Sequence, residues 1–182
     1  ATWAAAGMLA PQAEAEHGEE ALLPLALESR AMWKEFAAEL LAVTGIDVDY
    51  REEGTMVVGL DRDDVEHLEH RFSYFESLGL DVEWLSGYEA RKREPHLARA
   101  VGGAVFSALD HQVDNRKVAE ALRAAFLAVG GTLRENVEIT GVATANGRIS
   151  AVETADGSIE TDTVILAAGA WSRNMAGLPE IS

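Results

Sequence analysis

The chain contains no cysteine. That excludes a disulfide, a thiolate metal site and a thiol nucleophile, and it fits a cytoplasmic protein. Basic residues are few: 15 Lys and Arg stand against 31 Asp and Glu, for a formal charge of −16. Such a surplus repels nucleic acid and anionic membrane surfaces, so neither is an expected partner. No apolar run reaches the roughly 18 residues that cross a bilayer, and the start lacks the basic and apolar regions of a signal peptide. There is also no internal repeat, low-complexity stretch or Gly- and Pro-rich linker. What is present is a 182-residue chain of 48% hydrophobic content, enough for a real core. Because it opens with Ala1 inside a patterned segment and ends shortly after Trp171, it reads as an excised piece of a longer protein.

Helical periodicity comes first along the chain. From Glu19 to Val43, the residues Leu22, Leu25, Met32, Trp33, Phe36, Leu40 and Val43 recur at spacings of three, four and seven, which predicts one long amphipathic helix ended by Gly45. Val48 to Tyr50 and Thr55 to Leu60 predict two short strands forming a hairpin or neighbouring edges. Asp61 or Asp63 can cap a second helix on Val65, Leu68, Phe72 and Phe75. Val82 to Leu85 predicts a strand, Ser86 a cap for a brief helix to about Arg93, and Gly102 to Ala108 another strand. Asp114 is a good cap for a helix on Val118, Leu122, Phe126 and Val129, closed by Gly130 and Gly131.

After Gly130 the pattern turns to hairpins. Thr132 to Arg134, Val137 to Ala143, Ile149 to Thr154 and Ser158 to Glu160 predict short strands, with Asn146-Gly147 and Asp156-Gly157 as two-residue turns. Val164 to Ala168 predicts a buried strand running into Gly169 and Trp171, the kind of junction at which open α/β sheets bind cofactors.

Two segments carry the functional signal. Ala1 to Pro11 is almost free of polar side chains, and its small residues ending in Gly7 would let backbone N–H groups approach a flat ligand. The second is Asp162 to Ser172. The order Thr2-Trp-Ala-Ala-Ala-Gly-Met-Leu9, Gly54-Thr-Met-Val-Val58, Arg93-Glu-Pro95, Asp110-His-Gln-Val-Asp-Asn115 and Leu166-Ala-Ala-Gly-Ala-Trp-Ser172 resembles the glycine oxidases of thiamine biosynthesis. These belong to the D-amino-acid oxidase and sarcosine oxidase superfamily of flavoproteins, and the resemblance runs along nearly the whole chain.

The resemblance implies an α/β (mixed α+β) fold: part of a Rossmann-like FAD-binding domain plus a mixed-sheet substrate domain of a two-domain oxidase. It divides the chain into a flavin-side segment at 1–11, a substrate domain at 12–113 and FAD-domain parts at 114–182. It places Thr2, Ala6, Gly7 and Met8 beside the flavin, with Met8 also able to meet a small substrate. Ile139 matches a position whose backbone meets the adenine, and Ala168, Gly169 and Trp171 match the strand end near the cofactor. The two ends of the chain are thus expected to converge on one flavin. Related dehydrogenases carry a flavin-linking histidine where this chain has Ala4, so a noncovalent FAD is implied. The intact enzyme would use a small amino acid and molecular oxygen.

Departures from the family pattern matter equally. The Gly-x-Gly-x-x-Gly nucleotide turn is missing. By the resemblance, the substrate-binding arginine and tyrosine lie after Ser182. The chain alone is therefore expected to be inactive, with no catalytic residue of its own and no retained FAD.

Plainer readings stand beside these. Met8 can be core filler, and the alanine run can be a packing segment. His67 and His70 stand at i and i+3 without a third metal ligand, as on a solvated helix face. Asp110, His111 and Asp114 look triad-like but lack a serine elbow, and Asp114 reads better as a cap. Alternative functions are a D-amino-acid dehydrogenase or oxidase of bulkier substrates, and a noncatalytic flavoprotein-derived interaction domain whose exposed apolar surface pairs with another copy as a homo-oligomer.

Overall fold

In a computed structural model, residues 2–174, 176 and 177 are described. Ala1, the first residue of the expected flavin-side segment, lies outside the described residues. The chain divides at Gly130–Gly131 into two compact units, each considered by itself.

The first unit opens with a 3-10 turn, Thr2–Ala4, and strand β1, Met8–Leu9. Helix α1 spans Leu23–Thr44. It starts later than the expected Glu19 because Pro24 occupies its first turn, where the missing N–H costs nothing, while Glu19 to Leu22 form a turn closed by a 2.9 Å bond. Its buried line also differs from the expected stripe. Ala37 and Leu40 pack with Val48, Val113, Val118 and Ala121, whereas Leu22, Leu25, Met32 and Val43 are exposed.

Helix α2, Arg62–Ser77, begins with a reciprocal capping box between Asp61 and Asp64. Strand β3, Glu83–Ser86, runs into helix α3, Gly87–Arg93, which has a second capping box from Ser86 and Glu89. Helix α4, Asn115–Ala128, is capped by Asp114, whose carboxylate accepts from the N–H groups of Arg116 and Lys117 at 3.0 and 3.2 Å. Strand β2, Thr55–Gly59, and β3 flank the central β4, Gly103–Ser107, in an antiparallel sheet. Alternation along β4 serves two cores at once. Ala104 packs with Leu85, Ala90 and Val101, while Val105 on the opposite face packs with Leu68 and Phe75 of α2.

The expected pairing of 48–50 with 55–60, as a hairpin or as neighbouring edge strands, does not form. Asp47 accepts from the Asp49 N–H, Asp49 adopts a φ of 54°, and this local turn breaks the extended run. Strand β2 pairs instead with β4, from Thr55 opposite Ser107 to Gly59 opposite Gly103. Arg51 makes a separate antiparallel bridge to Gln112 in β5, His111–Gln112, which pairs in turn with β1.

The second unit is a three-stranded antiparallel meander: β6, Ile139–Ala145; β7, Arg148–Thr154; and β8, Gly157–Glu160. Asn146 and Gly147 both have positive φ, 53° and 75°, as a two-residue hairpin turn requires. Val142 and Ala151 are buried on it. Thr132 to Arg134 is irregular rather than extended in a ladder.

The buried strand expected at 164–168 is also absent as a strand. The segment joins no ladder among the described residues, and Ile165 is 89% exposed. A parallel-sheet strand is stabilised by neighbours on both edges, and its apolar pattern alone cannot supply them. A 3-10 turn, Gly169–Asn174, follows. No described helix is long and apolar enough to cross a membrane.

Candidate functional site

The opening segment is fixed by β1 and by the start of α4. Val113 donates its N–H to the Gly7 carbonyl at 2.9 Å, and Met8 and Leu9 pair with Gln112 and His111. Gly7 has a φ of +83°, and a Cβ placed there would stand 2.1 Å from the Val113 carbonyl oxygen. Glycine at position 7 is thus demanded by the chain's own backbone. The sequence predicts its close approach to a ligand, and the close approach seen here is to Val113.

Ala4, Ala5 and Ala6 are exposed and line a concave surface of about 440 Å³. Asp49, Arg51, Gln112, Asn115 and Arg116 supply polar groups to the rest of its wall, beside Trp3 and Val113. Arg51 grips Asp49 with two bonds of 3.0 and 3.1 Å. The hydrogen bond from Arg51 holds the Asp49 carboxyl below its ordinary value, and the same bond raises Arg51. The Arg116 guanidinium lies 5.1 Å from the Trp3 ring, a cation–π contact that ties the 3-10 turn to α4. Met8 is half exposed.

The other expected site residues divide between the units. Thr2, Ala6, Gly7 and Met8 lie together in the opening segment, with Thr2 beginning the 3-10 turn. Ile139 opens β6 opposite Thr154. Ala168 accepts from the Trp171 N–H at 3.2 Å, Gly169 has a φ of +55° with open space where a Cβ would stand, and Trp171 is 70% exposed.

A buried polar cluster has no counterpart among the sequence expectations. Asp110, with no exposed surface, accepts from the backbone N–H groups of Gln12 and Ala13 at 3.1 and 2.7 Å. The Gln12 carboxamide donates to Ser107 Oγ at 3.1 Å and accepts from the Asp81 N–H at 2.9 Å. Next to Asp110, His111 turns elsewhere and meets the Tyr50 hydroxyl. The Asp-His pair is visible in the sequence, but the partners lie 61 to 98 residues away and no local pattern marks them. His67 and His70 are exposed on α2.

The concavity thus sets small residues beside polar ones, on an α/β frame of small antiparallel sheets. The model of the FAD dependent oxidoreductase (DAO) family matches residues 1–181, and the chain belongs to that family. It is 33% identical over 177 residues to glycine oxidase from Geobacillus kaustophilus, an alignment covering 96% of this chain and 46% of that protein. It is also 35% identical over 179 residues to the bifunctional protein ThiO/ThiG from Synechocystis, covering 98% of this chain and 26% of that one. The crystal structure of the Geobacillus kaustophilus glycine oxidase superposes with a TM-score of 0.88 at 33% identity, over 96% of this chain and 47% of that one. The chain spans about half or less of the length of these relatives.

Proposed function

We propose that this chain is part of an FAD-dependent amino-acid oxidase of the glycine oxidase type. The observation that carries the reading is the 0.88 TM-score to glycine oxidase, with 96% of the chain covered. The residues present suit the cofactor. Ala4, Ala5 and Ala6 put nothing larger than a methyl group into the concave surface, and Ala4 offers no nucleophile for a covalent link, so the flavin is held noncovalently.

Bound FAD supplies the acceptor for the hydride leaving the amino acid's α-carbon. The contribution of the chain is to shape the site. In this reading Thr2, Ala6 and Gly7 border the flavin and Met8 reaches toward the substrate; within the second unit, Ile139, Ala168, Gly169 and Trp171 are assigned to cofactor binding. In the same reading, 1–11 is the flavin-side segment, 12–113 the substrate domain and 114–182 part of the FAD domain. Water exclusion and orientation of the small substrate are what such walls provide. The net reaction is glycine, water and oxygen to glyoxylate, ammonia and hydrogen peroxide. Catalytic side chains come from outside this chain, which alone is inactive. A cytoplasmic location belongs to the same reading, as does pairing of copies.

The test is to purify the full-length protein and record its spectrum. A yellow flavin released by acid precipitation and bleached anaerobically by glycine supports the proposal. Bleaching by bulkier D-amino acids alone reassigns the substrate, and a colourless protein that takes up no FAD overturns the reading.

A further inference from the structure

Behind Met8 lies a polar pair that the flavin reading leaves unused. In the β1·β5 ladder, Leu9 stands opposite His111 and Met8 opposite Gln112. Facing residues share a side of a sheet and successive ones alternate, so Leu9 and His111 point one way, Met8 and Gln112 the other. Burial agrees: His111 is 7% exposed and Met8 47%. Leu9 and Tyr50 both pack against the α1–α4 core. There the Tyr50 hydroxyl meets His111 Nδ1 at 2.6 Å, with the two rings edge to face. The next residue on each side carries the backbone bridge, since Arg51 and Gln112 exchange N–H···O bonds of 2.9 and 3.1 Å. Side-chain bond and backbone bridge are therefore adjacent links between one loop and β5.

We propose that Tyr50 and His111 are positioning residues for the flavin-side strand: their hydrogen bond holds β5 to the loop at Tyr50 and Arg51, and so sets where Met8 faces outward. The inference rests on the reading of Ala6 to Met8 as the flavin-side segment.

The link has a protonation requirement. A neutral imidazole offers a lone pair to the Tyr50 hydroxyl; the cation offers none, so the bond must reverse while a charge is buried. Arg30 of α1, Glu52 of the loop, and Asp110 and the Ala108 carbonyl of the preceding turn face the ring, while Lys34 of α1 acts on Tyr50. Burial, followed by Arg30, pushes His111 below its ordinary value, against the opposing pull of Glu52 and Asp110. The link is then complete above the ordinary imidazole value and is lost as pH falls from there through the lowered folded value.

Hydrogen exchange of the full-length protein, read by mass spectrometry at residues 7–11 and 110–113, tests this without requiring flavin. Protection corrected for intrinsic rates should fall on acidification by at most about tenfold per pH unit. Tyr50→Phe should lower it where the link is intact, above the ordinary imidazole value, and make little difference once acid has broken the link. His111→Gln, whose carboxamide oxygen accepts from Tyr50 at any pH, should restore protection and flatten the pH profile. Flavin retention should follow the same curves. A flavin-loaded protein whose exchange ignores both substitutions overturns the positioning role. The expected exchange pattern in a protein that never holds flavin overturns the flavoenzyme reading while leaving the Tyr50–His111 link in place.

Discussion

Gly7 and Val113 approach so closely that the carbonyl oxygen of Val113 occupies the place of a side chain at position 7, 2.1 Å from where a Cβ would stand. The contact fastens the opening segment to the start of α4 independently of any ligand. Gly7→Ala should therefore destabilise the protein itself, by about 2–4 kcal/mol from the positive φ and the overlap together. Urea denaturation measures it; a change within about 0.5 kcal/mol, ordinary for surface sites, would refute the structural role.

Asp110 should be the most sensitive polar residue of the first unit. Its carboxylate satisfies two backbone N–H groups, at Gln12 and Ala13, in a place without exposed surface. Asp110→Ala leaves both donors unpaired, an expected loss of about 2–5 kcal/mol. Chemical denaturation of Asp110→Ala beside Asp110→Asn, which keeps one acceptor, should rank the alanine variant clearly lower.

The first turn of α3 should respond to acid. The Glu89 carboxylate accepts from the Ser86 hydroxyl at 2.6 Å and from its N–H at 2.8 Å, and these bonds, the hydroxyl first, hold Glu89 below its ordinary value. With the folded value depressed, the cap is intact above the ordinary carboxylate value and is lost as pH falls through the lowered one. Amide chemical shifts at Ser86 should titrate over that window and cease to do so in Glu89→Gln.

Ala6→Leu should separate ligand from fold. The residue is exposed on the concave surface, so folding should change little. In the full-length protein, retention of FAD should drop about tenfold or more, because the added atoms intrude on the space assigned to the cofactor. Unaltered retention measured by dialysis would move the flavin away from the alanine run.

The Asn146-Gly147 turn carries its own expectation. With both residues at positive φ, Gly147→Val should cost about 1–3 kcal/mol and loosen β6 from β7. Amide exchange across the Ala145–Arg148 pair reads the change; equal protection would deny the turn its role.

Features set within a few residues are legible in the sequence. Ser86 and Asp114 read as caps and are caps, Asp61 is the one of its two candidates that caps α2, and the Asn146-Gly147 hairpin forms where its two residues permit positive φ. The family is legible as well, because its motifs are short runs in a fixed order. Strand partners are not. Thr55 to Leu60 reads as a hairpin partner or edge neighbour of Val48 to Tyr50, yet Thr55 to Gly59 pairs with the distant Gly103 to Ser107. The apolar run at 164–168 reads as a buried strand, yet it joins no ladder among the described residues.

By itself, then, the order of residues determined the caps, the Asn146-Gly147 turn and the flavoprotein kinship, all of which depend on groups only a few bonds apart, whereas the second turn forms at Ala155-Asp156 rather than at the expected Asp156-Gly157, because Gly157 pairs with Thr154. Tertiary structure alone decided that Gly7 answers to Val113, that Asp110 closes over Gln12, and that His111 looks toward Tyr50. Each of these joins groups dozens of residues apart, and which distant donor meets which acceptor is settled only when packing removes both from water.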